Sequence, residues 1–266
     1  MYRTTWIGVM AIGLTACAIE TELPYDHDDR PLPCAAFALD YDATYHLDLP
    51  EGARIRDGAI GAGTIGVLAD IEGTPWLVRF DAQTRDRIDA LAIPRDDCEV
   101  QSITHADAAW LGLYVCSDQL EVRTLDRDLD LVTPLTSPGT GDAYVERFIA
   151  PDGDRLWLYE LGALYRITPD NAEVEEVPFE PLTWGPTSGF DHEGWMHVFA
   201  RDAFEGGMRN YLGVEDADTQ ERCLFDVEDT PGLELQPSMR TFVDGARVYA
   251  LSPSGNLAEH LLTDLR

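Results

Sequence analysis

The chain has 266 residues, and 45% of them are hydrophobic, which permits a large buried core and excludes global disorder. Its formal net charge is −30, from 49 acidic and 19 basic residues. Such an acidic excess excludes nucleic acid as a partner, because phosphates are bound by Lys and Arg. It permits divalent cations, a basic partner, or solubility alone, and solubility is the simplest explanation because the acids are spread along the whole chain.

The N-terminus has the parts of a bacterial export signal. Arg3 precedes an uncharged, largely apolar run from Trp6 to Ala16, which is too short to span a bilayer. The run leads into Leu14-Thr15-Ala16-Cys17, which resembles the lipobox of bacterial lipoproteins. This resemblance implies that residues 1–16 are a signal peptide and that Cys17 becomes the acylated first residue of the mature protein. An ordinary secretory signal with a coincidental Cys is the alternative.

The resemblance also implies a location. Ala18 follows Cys17, whereas in Gram-negative lipoproteins an Asp at that position is the usual signal for retention in the inner membrane. We therefore expect a lipid-anchored protein of the cell envelope, in the outer membrane if the host is Gram-negative. Residues 17–33 are acidic and hold three prolines, which predicts an extended tether, and residues 34–266 form the predicted folded domain.

The cysteines predict two disulfides if Cys17 carries lipid. Export places the other four in an oxidising compartment. The stretch from 98 to 116 reads as strand, turn centred on Asp107, and strand, which pairs 104 with 110, 102 with 112, 100 with 114, and 98 with 116. Directly opposed residues are close enough for a disulfide. We predict Cys98–Cys116 and, by elimination, Cys34–Cys223. A metal site is the alternative, although the sequence holds no CxxC.

From about residue 35, hairpin-forming segments recur at intervals of about 44 residues. Each unit contains two hairpins, and Asp-Gly turns such as Asp152-Gly153 and Asp244-Gly245 lie between alternating apolar runs. Four strands per unit resemble the blades of a β-propeller and imply an all-β fold of about five four-stranded blades. The opening strand near Tyr45 would complete the last blade. A β-sandwich or another all-β stack is the alternative fold.

The hairpin turns supply the candidate metal ligands. In a propeller, the turns between first and second strands lie on one face, where carboxylates could bind Ca²⁺. The frequency of Asp in ordinary turns is the alternative explanation. The candidates are Asp107, Asp152, Asp154, Asp191 and Asp244.

Three tryptophans occupy similar places in three units, and we interpret them as packing between blades. They are Trp110, Trp157 and Trp195. The sequence contains no G-x-S-x-G, phosphate loop or dinucleotide fingerprint, so we assign no catalytic residue.

These observations favour a membrane-anchored envelope lipoprotein that acts as a binding or scaffold module for a protein or glycan partner. One alternative is a Ca²⁺-dependent propeller hydrolase or lyase, and another is a periplasmic solute-binding or sensor protein. Ca²⁺ is the one cofactor considered, and the binding module is favoured over the enzyme.

Overall fold

The fold is described from a computed structural model. It describes residues 32–33, 37–94, 97–106, 108–117, 119–125, 132–135, 147–152, 155–160, 163–168, 173–177, 184–192, 195–204, 207–216, 222–226 and 240–264. The description covers the backbone alone for 32–33, 132–135, all described residues between 184 and 226, Phe37, Asp152, Val177 and Asp264. Contacts divide the chain into Met1–Arg30 and Pro31–Arg266, and every described residue belongs to the second unit.

Every regular element in the described part of the chain is a β-strand, and this part contains no apolar helix of membrane-spanning length. The strands are β1 (Leu32–Pro33), β2 (Phe37–His46), β3 (Arg54–Gly61), β4 (Thr64–Ile71), β5 (Thr74–Asp81), β6 (Arg87–Ala92), β7 (Glu99–Ala106), β8 (Ala109–Val115), β9 (Leu120–Thr124), β10 (Val132–Leu135), β11 (Arg147–Asp152), β12 (Arg155–Glu160), β13 (Ala163–Thr168), β14 (Glu173–Val177), β15 (Trp184–His192), β16 (Trp195–Phe204), β17 (Gly207–Asp216), β18 (Arg222–Asp226), β19 (Arg240–Asp244), β20 (Arg247–Leu251) and β21 (Asn256–Asp264).

The strands form five sheets in chain order, each with four antiparallel strands, as the repeats predict. Blade 1 is β3–β6, blade 2 is β7–β10, blade 3 is β11–β14, blade 4 is β15–β18, and blade 5 is β19–β21 with β2. Short turns join the strands. At the β3–β4 turn, Ala62 and Gly63 both have positive φ, 49° and 70°, which is typical of a two-residue hairpin turn.

The first strands of the five blades pack against one another in a closed ring, in the order β3, β7, β11, β15, β19 and back to β3. The architecture is therefore a β-propeller, and the predicted fold class is confirmed. We call the face at which these first strands begin, with Arg54, Glu99 and Arg240, the upper face. The lower face carries the first-to-second strand turns, such as residues 62–63 and 245–246.

The N-terminal part of the domain closes the ring. β2 pairs along its length with β21, from Phe37 opposite Asp264 to His46 opposite Asn256, which confirms that the opening strand completes the last blade. β1 pairs in parallel with β18, with Leu32 opposite Cys223. The last two residues of the predicted tether therefore belong to the folded domain, and the N-terminal segment joins two neighbouring blades.

Apolar side chains fill the spaces between the blades. Val67 and Phe80 of blade 1 pack with Leu251 of blade 5, and all three are fully buried. Trp110 of blade 2 lies against Gly66 of blade 1, where an added Cβ would come within 2.4 Å of the indole ring. Trp110 and Trp157 are each 2% exposed. The contact with Gly66 confirms packing between blades for Trp110, whereas for Trp157 this role stays a prediction and the side chain of Trp195 lies outside the described residues.

The β7–β8 hairpin contains one correction to the predicted register. Residues 104 and 102 lie opposite Leu111 and Leu113, not opposite 110 and 112. A bulge at Gln101 then shifts the ladder by one residue, so that Val100 pairs with Tyr114 as predicted. The sequence prediction placed the turn incorrectly and did not include the bulge. These two deviations shift the register in opposite directions, so the register beyond the bulge is the predicted one, and the Cys98–Cys116 disulfide is confirmed.

Candidate functional site

The predicted ring of acidic turns on the lower face is only partly described. Asp107 and Asp154 lie outside the described residues, and Asp152 and Asp191 are described by their backbone alone. Asp244 is exposed at the β19–β20 turn. Calcium binding by these acids stays a prediction.

The described residues at the centre of the ring enclose a small cavity. A cavity of about 30 Å³ lies between β3, β7, β11 and β19, and its walls include Asp57, Ile103, Phe148 and Phe242. A space of this size holds one or two water molecules, so it does not fit a ligand of even a few heavy atoms. Asp57 is the one carboxylate among the described residues that line it.

Asp57 joins blade 1 to blade 2. Its side chain is 7% exposed, and its carboxylate accepts a hydrogen bond of 2.8 Å from the backbone amide of Ile103. Burial raises the pKa of Asp57, while Arg240 and hydrogen bonds from Ser102 and from the backbone act in the opposite direction. Arg240 approaches Asp57 to 4.0 Å from blade 5. The carboxylate therefore lies where three blades meet.

Residues at the equivalent position in blades 2 and 5 also form hydrogen bonds to a neighbouring blade. Asp57, Ser102 and Arg240 lie opposite equivalent residues of the second strand in blades 1, 2 and 5, namely Leu68, Leu113 and Leu251. Ser102 Oγ accepts a hydrogen bond of 3.1 Å from the Ile149 amide of blade 3. Arg240 Nε donates to the Arg56 carbonyl of blade 1 at 2.7 Å. Sequence reasoning missed this site, because an acid, an alcohol and a base occupy the repeated position.

A much larger space opens on the upper face between blades 1 and 2. This cleft has a volume of about 540 Å³, within the size range of small-molecule sites. Its apolar walls come from prolines and aliphatic residues at the strand ends, and the disulfide forms part of one side. The residues that line it are Arg56, Asp70, Gly73, Pro75, Ile93, Pro94, Asp97, Cys98, Glu99, Val100, Tyr114, Val115, Cys116 and Ser117.

Charged side chains cross the cleft. Arg56, at a bulge in β3, forms an ion pair with Glu99 of blade 2, and its Nε lies 3.7 Å from Asp70 of its own blade. Glu99 is 53% exposed and Asp97 is exposed. Carboxylate oxygens can accept several hydrogen bonds each, so these groups retain capacity for a ligand. The described residues that line the cleft include three acids and one base, so their net charge is negative.

The disulfide wall has its own charged pair. Arg123 Nη2 lies 3.0 Å from Cys98 Sγ and 3.8 Å from Cys116 Sγ. The guanidinium forms an ion pair of 2.6 Å with Glu121 and stacks 4.5 Å from the centre of the Tyr114 ring. Both charged side chains are largely buried. The two sulfurs and Glu121 are close together, but the sulfurs are bonded to each other, so they offer no thiolate to a metal ion.

The other predicted disulfide lies at the limit of the described chain. Cys34 is outside the described residues, and Cys223 is described by its backbone in β18. Because Leu32 pairs with Cys223, the chain reaches β18 two residues before Cys34. The Cys34–Cys223 bond stays a prediction, as does the role of Cys17, which also lies outside the described residues.

Comparisons with known proteins give partial similarities, and no protein-family model matches the chain. Over 134 residues the chain is 30% identical to the type IV secretion system protein virB8 of Brucella abortus, and equally to that of Brucella suis. The alignment covers 47% of this chain and 53% of the Brucella protein, so the chain spans about half the length of the curated relatives it matches.

Among solved structures, virginiamycin B lyase from Staphylococcus aureus is similar at 12% identity and a TM-score of 0.47, over 85% of this chain and 100% of the lyase chain. A similarity at this level supports no functional assignment.

Proposed function

We propose that the protein is a lipid-anchored binding module of the bacterial cell envelope for a protein or glycan partner, and that it binds a protein at the cleft between blades 1 and 2. The observation that carries the proposal is the cleft of about 540 Å³, where Arg56 and Glu99 lie beside apolar walls. Binding sites are typically concavities of this size, lined by apolar side chains with a few converging polar groups.

The negative charge of the protein supports a partner with a basic surface. The net charge of −30 attracts cationic surfaces over long range, and this raises the rate of encounter. Locally, Asp70, Asp97 and Glu99 outnumber Arg56 in the cleft. The curated proteins that match half of this chain are named as type IV secretion system proteins, so a component of such a system is one candidate partner.

The anchor is tested by cell fractionation. We expect Cys17→Ser to move the protein out of the membrane fraction, because the acyl chains supply the membrane affinity in the lipobox interpretation. Ala18→Ser is the matched control, since it alters the neighbouring residue and keeps the thiol. A Cys17→Ser protein that stays in the membrane fraction would show that the lipobox interpretation is wrong.

The cleft is tested separately by capture of cross-linked partners from cells. We expect Glu99→Lys to remove the dominant partner, because it reverses a charge inside the cleft and breaks the pair with Arg56. Asp86→Lys makes the same charge change at the exposed β5–β6 turn on the lower face and should leave capture unchanged. Equal loss from both variants would indicate a general charge effect and contradict the cleft as the binding site.

A further inference from the structure

The disulfide on the cleft wall is accessible from one side. Both sulfur-bearing residues line the cleft, and Cys98 is half-buried whereas Cys116 is 8% exposed. An incoming nucleophile in the cleft would therefore reach Cys98 first. Cys116 lies behind it as the leaving sulfur.

Arg123 lies beside both sulfurs. Its Nη2 is 3.0 Å from Cys98 Sγ and 3.8 Å from Cys116 Sγ, so its charge favours a thiolate on either one, and its side chain is 12% exposed. A guanidinium stabilises a neighbouring thiolate, and the effect is larger where little water screens it. When the bond to Cys98 breaks, the charge that appears on Cys116 Sγ lies beside a fixed cation.

Glu121 holds the cation in place and opposes it electrostatically. Its Oε2 accepts from Arg123 Nε at 2.7 Å, and its Oε1 accepts from Gln119 Nε2 at 2.5 Å. The Tyr114 ring supports the other side of the guanidinium. The carboxylate therefore orients Arg123, while its own negative charge disfavours a nearby thiolate. Removing the charge of Arg123 should therefore slow the exchange, whereas removing the charge of Glu121 should accelerate it.

From this geometry we propose that Cys98–Cys116 is a thiol–disulfide exchange site, at which a neutral or cationic thiol on a partner forms a mixed disulfide with Cys98. The partner's thiolate attacks Cys98 Sγ and forms the new S–S bond. The electron pair of the old bond passes to Cys116 Sγ, which leaves as a thiolate beside Arg123. No external oxidant or reductant is consumed, because one disulfide is exchanged for another.

The charge of the cleft selects the thiol. Asp97 and Glu99 lie next to Cys98 along the chain and line the same space. They repel an anionic thiol and attract a cationic one. The inference deepens the proposed function, since it rests on the cleft as the partner's site, but the exchange reaction is a property of the purified protein and does not require lipid anchoring.

The test is the rate of mixed-disulfide formation on the full chain in detergent, followed by mass spectrometry. Cysteamine, 2-mercaptoethanol and mercaptoethanesulfonate serve as cationic, neutral and anionic thiols. Each rate is taken at equal thiolate concentration and divided by the rate of the same thiol with a small uncharged disulfide, because thiolates of different pKa differ in intrinsic nucleophilicity. We expect this relative rate to fall in that order, and the difference to shrink as salt screens the acids. A relative rate that is independent of thiol charge would overturn the proposal.

Two variants test the role of Arg123, because they should change the exchange rate in opposite directions. We expect Arg123→Met to slow exchange about threefold. This is the loss in rate that corresponds to about tenfold weaker stabilisation of the thiolate when the Brønsted coefficient is near 0.5. Glu121→Gln should accelerate exchange, and Arg79→Met, which breaks an ion pair with Asp89 on the outer strands of blade 1, should have no effect. Unchanged exchange in Arg123→Met, or slower exchange in Glu121→Gln, would overturn the proposal. If Arg123→Met does not fold, Glu121→Gln and the thiol series still decide it.

Discussion

Two neighbouring residues of β3 belong to very different parts of the molecule. Asp57 is buried at the axis, where it joins blades 1, 2 and 5, whereas Arg56 lies in the open cleft between Asp70 and Glu99. Successive side chains of a strand point to opposite faces, and here Asp57 lines the axial cavity whereas Arg56 lines the cleft. One strand thus supplies both a structural contact and a wall of the candidate binding site.

The difference shows where this propeller uses its polar groups. At the axis, Asp57, Ser102 and Arg240 bond to backbone groups of adjacent blades, so their hydrogen-bonding capacity stabilises the ring. In the cleft, carboxylates such as Glu99 remain solvent-accessible. A ligand can interact with the second set without disrupting the ring, and mutations in the two regions should therefore have different consequences.

The largest expected effect is on stability, from Asp57→Ala. The change removes the acceptor of the Ile103 amide and a carboxylate that Arg240 approaches to 4.0 Å, and breaking a buried charged network costs about 4 kcal/mol. Urea denaturation measures the loss in the free energy of unfolding. Glu99→Ala, in the exposed part of the cleft, should cost less than about 1 kcal/mol. Similar losses from the two variants would remove the distinction between axis and cleft.

A smaller effect is expected where blades 1 and 2 pack below the cleft. Gly66→Ala places a Cβ within 2.4 Å of the Trp110 ring, and overpacking of this kind costs about 2 kcal/mol. The comparison variant is Ala59→Gly on β3, which removes a buried methyl group from the same contact region without adding volume. Thermal unfolding with tryptophan fluorescence should show a shifted environment for Trp110 in Gly66→Ala. An unchanged spectrum and an unchanged unfolding midpoint would contradict the close packing.

The smallest effect is a difference in pH dependence. Burial raises the pKa of Asp57 above 3.8, so the folded state binds that proton more tightly than the unfolded chain does. Its contribution to stability is complete below pH 3.8 and is lost as the pH rises through the raised value. The stability of the wild type relative to Asp57→Asn should therefore fall over that range, as measured by urea denaturation at several pH values.

Asp89 provides the control of opposite sign. Its hydrogen bonds from Arg79 hold its pKa below 3.8, so its contribution is present above pH 3.8 and is lost as the pH falls through the lowered value. The wild type relative to Asp89→Asn should gain stability as the pH rises through that window. Slopes of the same sign for the two variants would contradict the assigned burial of Asp57.

The sequence predicted the blades because their signals are local. Asp-Gly turns and alternating apolar residues define hairpins within one repeat, and β2 could be assigned to blade 5 because that blade lacked a strand. The bulge at Gln101 was not predictable in this way, and it changes the register of β7 and β8. The disulfide was predicted correctly because the bulge restores the pairing before Cys98 is reached.

The candidate site could not be predicted by the same reasoning. The cleft joins the ends of strands from two blades, and Arg123 approaches the disulfide from the third strand of blade 2. These contacts depend on how the sheets twist and splay, which no single repeat encodes. The axial position could not be recognised in the sequence for another reason. Asp57, Ser102 and Arg240 occupy equivalent positions in three blades, but their side chains are chemically different.

Site-specific photo-cross-linking in cells tests the central claim most directly. A photoreactive residue at Ser117 lies in the cleft, and one at Asp86 lies on the lower face at similar exposure. If the cleft is the partner-binding site, the probe at 117 forms a defined adduct with an envelope protein and the probe at 86 does not. An adduct from position 86 with none from position 117 would contradict the account and move the binding site to the lower face.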